Sequence, residues 1–281
     1  MRWVPGGGSR NVEDRRGQGM GLGAPVGIGG GLILLILTLL FGSDLVTSPD
    51  QSQATRAESA AGEVEPVEET PEEAREVQFV SWVLDTAQST WTHLAPERLG
   101  VPWHDAKLVL FRGATRTSCG VGQTAMGPFY CPLDEKLYID LSFYDDLKKR
   151  FGAPGDFAQA YVLAHELGHH VQHLMGTDAK VRRFQRANPS EANQASVALE
   201  LQADCYAGVW GYYAQQGGAL EAGDLEEGLT AAAAVGDDRI QKQTTGQVNM
   251  DSFTHGSSAQ REAWFKRGFE TGDPRRCDTF R

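Results

Sequence analysis

Between Asp156 and Gly176 the chain reads DFAQAYVLAHELGHHVQHLMG, and no other stretch restricts the fold as much. Within it, His165, Glu166 and His169 form an H-E-x-x-H pattern. On an α-helix, histidines four residues apart share a face one turn apart, so both rings can reach one tetrahedral zinc ion. Glu166 between them is then placed to act on a water at the metal. The helix has its own local signals: Asp156 as N-cap with Gln159 three residues on, a run of good helix formers, and Gly176 as a stop. Gly168 in mid-helix costs about 1 kcal/mol relative to Ala, which calls for a compensating close backbone approach. His170 and His173 fall outside the pattern and read as surface or supporting residues.

A hydrolytic zinc needs a third protein ligand and an open position. Glu200 and Asp204 stand four residues apart in Glu200-Leu-Gln-Ala-Asp204, so they share a helical face that is otherwise apolar, with Val197, Leu201 and Gly208 nearby. A buried carboxylate without a partner is costly. Zinc for Glu200, and the ring N–H of a ligating histidine for Asp204, would satisfy both.

Charge narrows the partners. The 281 residues carry a net charge of −11, which argues against nucleic acid. Acids are concentrated between Asp44 and Glu76, as expected of a solvated spacer over 44–70. Ahead of it, Gly17 to Ser43 contains no charged residue, and about 24–42 is apolar enough to span a bilayer. Arg2, Arg10, Arg15 and Arg16 precede this stretch. The positive-inside rule therefore predicts a cytoplasmic tail (1–22), a single-pass anchor (23–43) and an extracytoplasmic domain (71–281). No small-x-small cleavage site follows closely, which disfavours a signal peptide.

Four cysteines in an oxidising compartment suggest two bridges, with three connectivities allowed. Local closure favours Cys119–Cys131 with Cys205–Cys277. No C-x-x-C spacing points to metal instead.

The remaining elements are read from periodicity. Thr70-Pro71-Glu72-Glu73 is a capping box opening a helix whose Val77, Val80, Leu84, Ala87 and Trp91 face the core. Strands are predicted over 107–112 and 136–142, the second a candidate open edge for an extended peptide. A polar connection over 177–189 follows the metal helix. Ser190 then opens a long helix to about Gln216, Asp224 one to about Gln243, and Ser257 one through Phe269. Helix, small sheet, then helices defines an α+β domain.

HELGHHVQ followed by ELQADCYAGVW resembles the bacterial neutral zinc metallopeptidase family, whose members are membrane-anchored. So do the MRW…SRNVEDRRG start, GPFYCP…DEKLYIDLSFY, and THGSSAQREAWFKRGF with CDTF at the end. More distantly the pattern is similar to thermolysin-type enzymes. The resemblance implies a zincin-like fold, zinc held by His165, His169 and Glu200, Glu166 as general base, and a peptide or protein substrate at the bacterial cytoplasmic membrane. For the transition-state oxyanion the candidate is His255, in the loop ahead of the last helix; Tyr138, Tyr144 and Tyr161 are other donors. The alternative expectation is a non-catalytic scaffold that keeps a structural zinc on the same fold. A zinc hydrolase acting on cell-wall peptide amides would share the site and differ only in substrate.

Overall fold

The computed structural model describes residues 1–6, 8–18, 67 and 69–280. The expected anchor and most of the acidic spacer lie outside the described residues. Among the described residues no helix is long and apolar enough to cross a membrane.

A four-stranded sheet, ordered β1 (Val12–Asp14), β2 (Lys107–Leu110), β6 (Lys136–Ile139), β5 (Phe129–Cys131), carries the helices. β1, β2 and β6 run parallel, and β5 is antiparallel to β6. β3 (Ala114–Thr117) and β4 (Gly120–Gln123) form a separate ribbon. β6 is therefore an interior strand, and β5 takes the edge position expected of it. Sequence order misled here because β5, only three residues long, is too short to show a period.

The helices are α1 (Pro71–Leu94), α2 (Ser142–Lys149), α3 (Asp156–Leu174), α4 (Thr177–Ala187), α5 (Ala192–Gln216), α6 (Asp224–Ala234), α7 (Asp237–Thr245) and α8 (Ser258–Thr271). Val80, Leu84, Ala87 and Trp91 of α1 are fully buried, and Val77 is partly so. Capping boxes act only at some of the expected ends. Thr70 accepts from the Glu73 amide, and Ser257 caps α8. Ser190 instead lies in a 3₁₀ turn ahead of α5. The helix expected from Asp224 to Gln243 breaks at Gly236, where a side chain would overlap the Ser258 backbone. α3 begins at Asp156, preceded by Gly155 at φ 118°. Its first turn is capped from α6, where the Glu227 carboxylate accepts the Phe157 amide at 3.1 Å.

Asp156 is free of the capping role because it binds the other end of the chain. The Met1 ammonium lies 2.8 Å from Asp156 and 3.4 Å from Asp224. Trp3 packs on Phe79, and β1 is tied down by charge: Lys136 to Glu13 at 2.8 Å, and the buried Arg16 to Asp14, Glu69 and Glu73. The expectation of a cytoplasmic tail over 1–22 did not foresee this packing: the described residues among 1–18 belong to the folded domain. Its signal was missed because this segment is buried by ion pairs rather than by a run of apolar residues. A strand paired with β2 lies on the same side of any bilayer as β2, so a tail and a domain on opposite faces do not fit this pairing.

Both disulfides form as expected, Cys119–Cys131 and Cys205–Cys277. The second closes a span of 72 residues, and its removal by Cys→Ser substitution is expected to lower unfolding stability by about 2–5 kcal/mol, read by denaturant titration.

Candidate metal centre

α3 and α5 cross where Gly168 meets Ala203. A Cβ at Gly168 would stand 3.0 Å from the Ala203 carbonyl oxygen, so glycine is what permits this approach. The crossing sets His165 and His169 opposite Glu200. Nε2 of His165 lies 3.2 Å from one Glu200 oxygen, and Nε2 of His169 lies 3.6 Å from the other. One ligand atom from each of the three residues falls within 4.8 Å of the others.

Each histidine is oriented through its second nitrogen. Nδ1 of His165 donates to Asp204 at 2.8 Å, and Nδ1 of His169 donates to the Gln172 side-chain oxygen at 2.9 Å. Both Nε2 atoms are thereby turned toward the Glu200 carboxylate, the arrangement in which supporting groups fix the tautomer of metal-binding imidazoles. Asp204 itself is fully buried. It accepts from the Tyr161 hydroxyl at 2.5 Å and from Arg261 twice, through Nε at 2.8 Å and Nη2 at 2.9 Å. Arg261 reaches this point because α5 and α8 nearly touch: a side-chain carbon at Gly208 would overlap the Phe265 carbonyl, and one at Gly268 the Cys205 carbonyl.

The charge balance asks for a cation among these groups. Burial opposes the ionised forms of Glu200 and Asp204, yet both are held below the usual carboxylate range, Glu200 by His169 and His165, and Asp204 by Arg261 and His165. Burial likewise opposes a charged His165, but Asp204 and Glu200 hold its pKa up at about 10. Without metal at neutral pH, a proton therefore sits on the His165 edge that faces Glu200. Two imidazoles and a carboxylate suit zinc as a donor set. Zinc uptake at pH 7 is expected to release this proton. Isothermal calorimetry in buffers of differing ionisation enthalpy checks it, and buffer-independent heats would contradict it.

Glu166 is 8 % exposed, and burial raises its carboxyl pKa, which suits a group that must take up a proton. His255 approaches from the loop before α8. Its Nδ1 is held by Asp237 at 2.9 Å, and the other Asp237 oxygen accepts the amides of Thr254, His255 and Gly256. Gly256 stands where a Cβ would be 3.2 Å from Leu201 and 3.3 Å from Val197, so the loop is seated on the α5 face that carries Glu200. The alternative donors Tyr138 and Tyr144 have other surroundings: Tyr138 bonds Asp134, and Tyr144 is buried beside Phe143, where burial and the Glu76 carboxylate push its pKa up. Tyr161 is spent on Asp204.

His170 and His173 sit apart from the three ligand candidates. His170 is not a surface residue. It is fully buried, with Nε2 donating to the His104 carbonyl and Nδ1 accepting from the Tyr130 hydroxyl. Burial lowers its pKa to about 4, leaving it neutral between helix and sheet. His173 bonds Asp178 at 3.0 Å. A second acidic group, Asp156, Asp224 and Glu227, surrounds the Met1 ammonium and so already faces a cation. The residues that sequence reasoning missed are Arg261, Gln172 and Asp237. The SAQREAW and GHHVQH segments that hold two of them carry no spacing that marks a role.

A partly buried His/His/Glu triad with oriented imidazoles and an adjacent acid defines a candidate zinc hydrolase centre on an α+β domain. Residues 1–280 match the family described as "Putative neutral zinc metallopeptidase", and the chain belongs to it. It is 51% identical over 296 residues to "Uncharacterized protein YpfJ" of Escherichia coli (strain K12), covering 100% of this chain and 99% of that one. It is 49% identical over 182 residues to "Uncharacterized protein Rv2575" of Mycobacterium tuberculosis, covering 61% of each. No solved structure matches the chain.

Proposed function

We propose that the chain is a zinc-dependent peptidase of zincin-like fold, with His165, His169 and Glu200 as zinc ligands and Glu166 as general base. The observation that carries this reading is the convergence of both His Nε2 atoms on the Glu200 carboxylate, each ring oriented from behind. When bound, zinc lowers the pKa of a water and polarises a carbonyl. Glu166 takes the proton of the attacking water and passes it to the leaving amine. His255, its ring oriented by Asp237, is the donor to the oxyanion. β5, the edge strand beside α3, is the element along which an extended peptide would lie.

The test is a cleavage screen of the purified full chain on unfolded proteins, peptides and cell-wall peptide fragments. Cleavage of peptide bonds that stops on chelation and returns with zinc supports the reading. Cleavage confined to wall fragments would move the substrate class, and cleavage indifferent to chelation would overturn the zinc mechanism.

The reading also places the domain at the outer face of the cytoplasmic membrane, supported by the two disulfides, with the apolar stretch at 24–42 supporting attachment to the membrane and not the choice of face. Residues 1–18 are taken to share that face, supported by the pairing of β1 with β2. All four native cysteines are paired, so single added thiols report cleanly. A Val4→Cys variant (76% exposed) is expected to react with a membrane-impermeant maleimide in intact spheroplasts as fully as Leu133→Cys (72% exposed). Labelling of Val4→Cys only after lysis would put the N-terminal segment inside.

A further inference from the structure

The imidazole of His169 is held by a chain of amides that runs away from the metal centre to the C-terminal tail. Its Nδ1 meets the Gln172 side-chain oxygen at 2.9 Å. The Gln172 side-chain nitrogen donates to the Leu199 carbonyl at 2.7 Å and to the Gln202 side-chain oxygen at 3.1 Å. The Gln202 nitrogen then donates to the Cys277 carbonyl at 3.0 Å. Gln172 is fully buried, Gln202 nearly so, and Cys277 fully, so water does not compete along this line.

The chain has one direction only. A backbone carbonyl accepts and cannot donate. Cys277 therefore fixes which end of the Gln202 amide is nitrogen, leaving its oxygen to face Gln172. Leu199 and Gln202 together fix the Gln172 nitrogen on their side and its oxygen toward His169. That oxygen accepts, so His169 must carry a proton on Nδ1, and the neutral ring then presents a bare Nε2 to the Glu200 side. The tail that ends this line is fastened beside it, by the Cys205–Cys277 bridge and by the Thr279 hydroxyl on the Ala198 carbonyl at 2.6 Å.

We propose that Gln172 and Gln202 are positioning residues that set the tautomer of His169, and that the disulfide-fastened tail supports the metal site from behind, its Cys277 carbonyl fixing the Gln202 amide and so reinforcing the hold of the Leu199 carbonyl on Gln172. This inference rests on the zinc-site reading for its functional meaning but is tested separately from it. The neighbouring ligand, His165, is held at Nδ1 by a charged group, whereas the Nδ1 of His169 meets a neutral amide.

The first test needs no variant and no metal. In the ¹⁵N-labelled full chain, stripped of metal and held above pH 8, the His169 ring nitrogens are expected to show the Nδ1–H tautomer. The Nε2–H tautomer would overturn the proposal whatever the protein binds. The second test is zinc affinity of the full chain by competition with a chromophoric chelator, with circular dichroism as the folding control. Loss of a supporting partner of this kind weakens metal binding by about 10–100-fold. Gln172→Leu is expected to fall in that range, and Gln202→Leu to lose less because Leu199 still holds Gln172. A folded Gln172→Leu protein that binds zinc as tightly as the parent would overturn the proposal. If neither parent nor variant binds zinc, it is the zinc reading that fails, while the tautomer measurement still decides this one.

Discussion

Replacing Glu166 by Gln is expected to lower turnover by about 10²–10⁴-fold while leaving zinc content and fold unchanged. The size follows from the role. The amide keeps the volume and a hydrogen-bonding oxygen but cannot take a proton from the attacking water. The retention of metal follows from geometry, because the atoms that converge are those of His165, His169 and Glu200, and Glu166 is not among them. Steady-state kinetics beside metal analysis checks both halves. A variant that hydrolyses peptide normally would remove Glu166 as base. One whose effect in the cell is also unchanged would favour the non-catalytic scaffold.

Arg261→Met is expected to be the most destabilising single substitution near the site, by about 3–5 kcal/mol. Asp204 is fully buried, and Arg261 supplies two of its hydrogen bonds together with its countercharge. Methionine fills similar space but leaves a buried carboxylate with only the His165 and Tyr161 donors. The partner Asp204→Asn/Arg261→Met double variant removes the orphaned charge and should recover part of the loss, since residues in contact do not add independently. Chemical denaturation of the four proteins measures this. A loss under 1 kcal/mol in the single variant would show that Asp204 does not depend on Arg261.

What could be read from the sequence had a short period or a local rule. His165 and His169, and Glu200 and Asp204, are each four apart on a helix, so one turn of geometry forecasts which side chains share a face. Which faces meet is a tertiary fact, and only Gly168 hinted at it. The caps at Thr70 and Ser257 are three-residue signals and were legible for the same reason. Arg261 meets Asp204 across 57 residues and Gln202 meets Cys277 across 75, and no local pattern encodes such pairs. β1 was hidden differently. Val12-Glu-Asp14 is short and charged, and it is held by Lys136, Arg15 and Arg16 instead of by an apolar face, so hydrophobic periodicity passes over it. Asp156 looked like an N-cap because nothing in its neighbourhood reveals that Met1 lies 2.8 Å away.

The proposed site holds one zinc ion through two imidazoles and one carboxylate. Zinc K-edge X-ray absorption on the full chain addresses it directly, in the parent protein and in Glu200→Ala. The expected spectrum has two imidazole nitrogens at about 2.0–2.1 Å and oxygen at about 2.0–2.2 Å, with no sulfur shell. Zinc should be lost or greatly weakened in the variant. An unchanged spectrum in Glu200→Ala, a sulfur shell near about 2.3 Å, or a parent protein that binds no zinc would contradict the account.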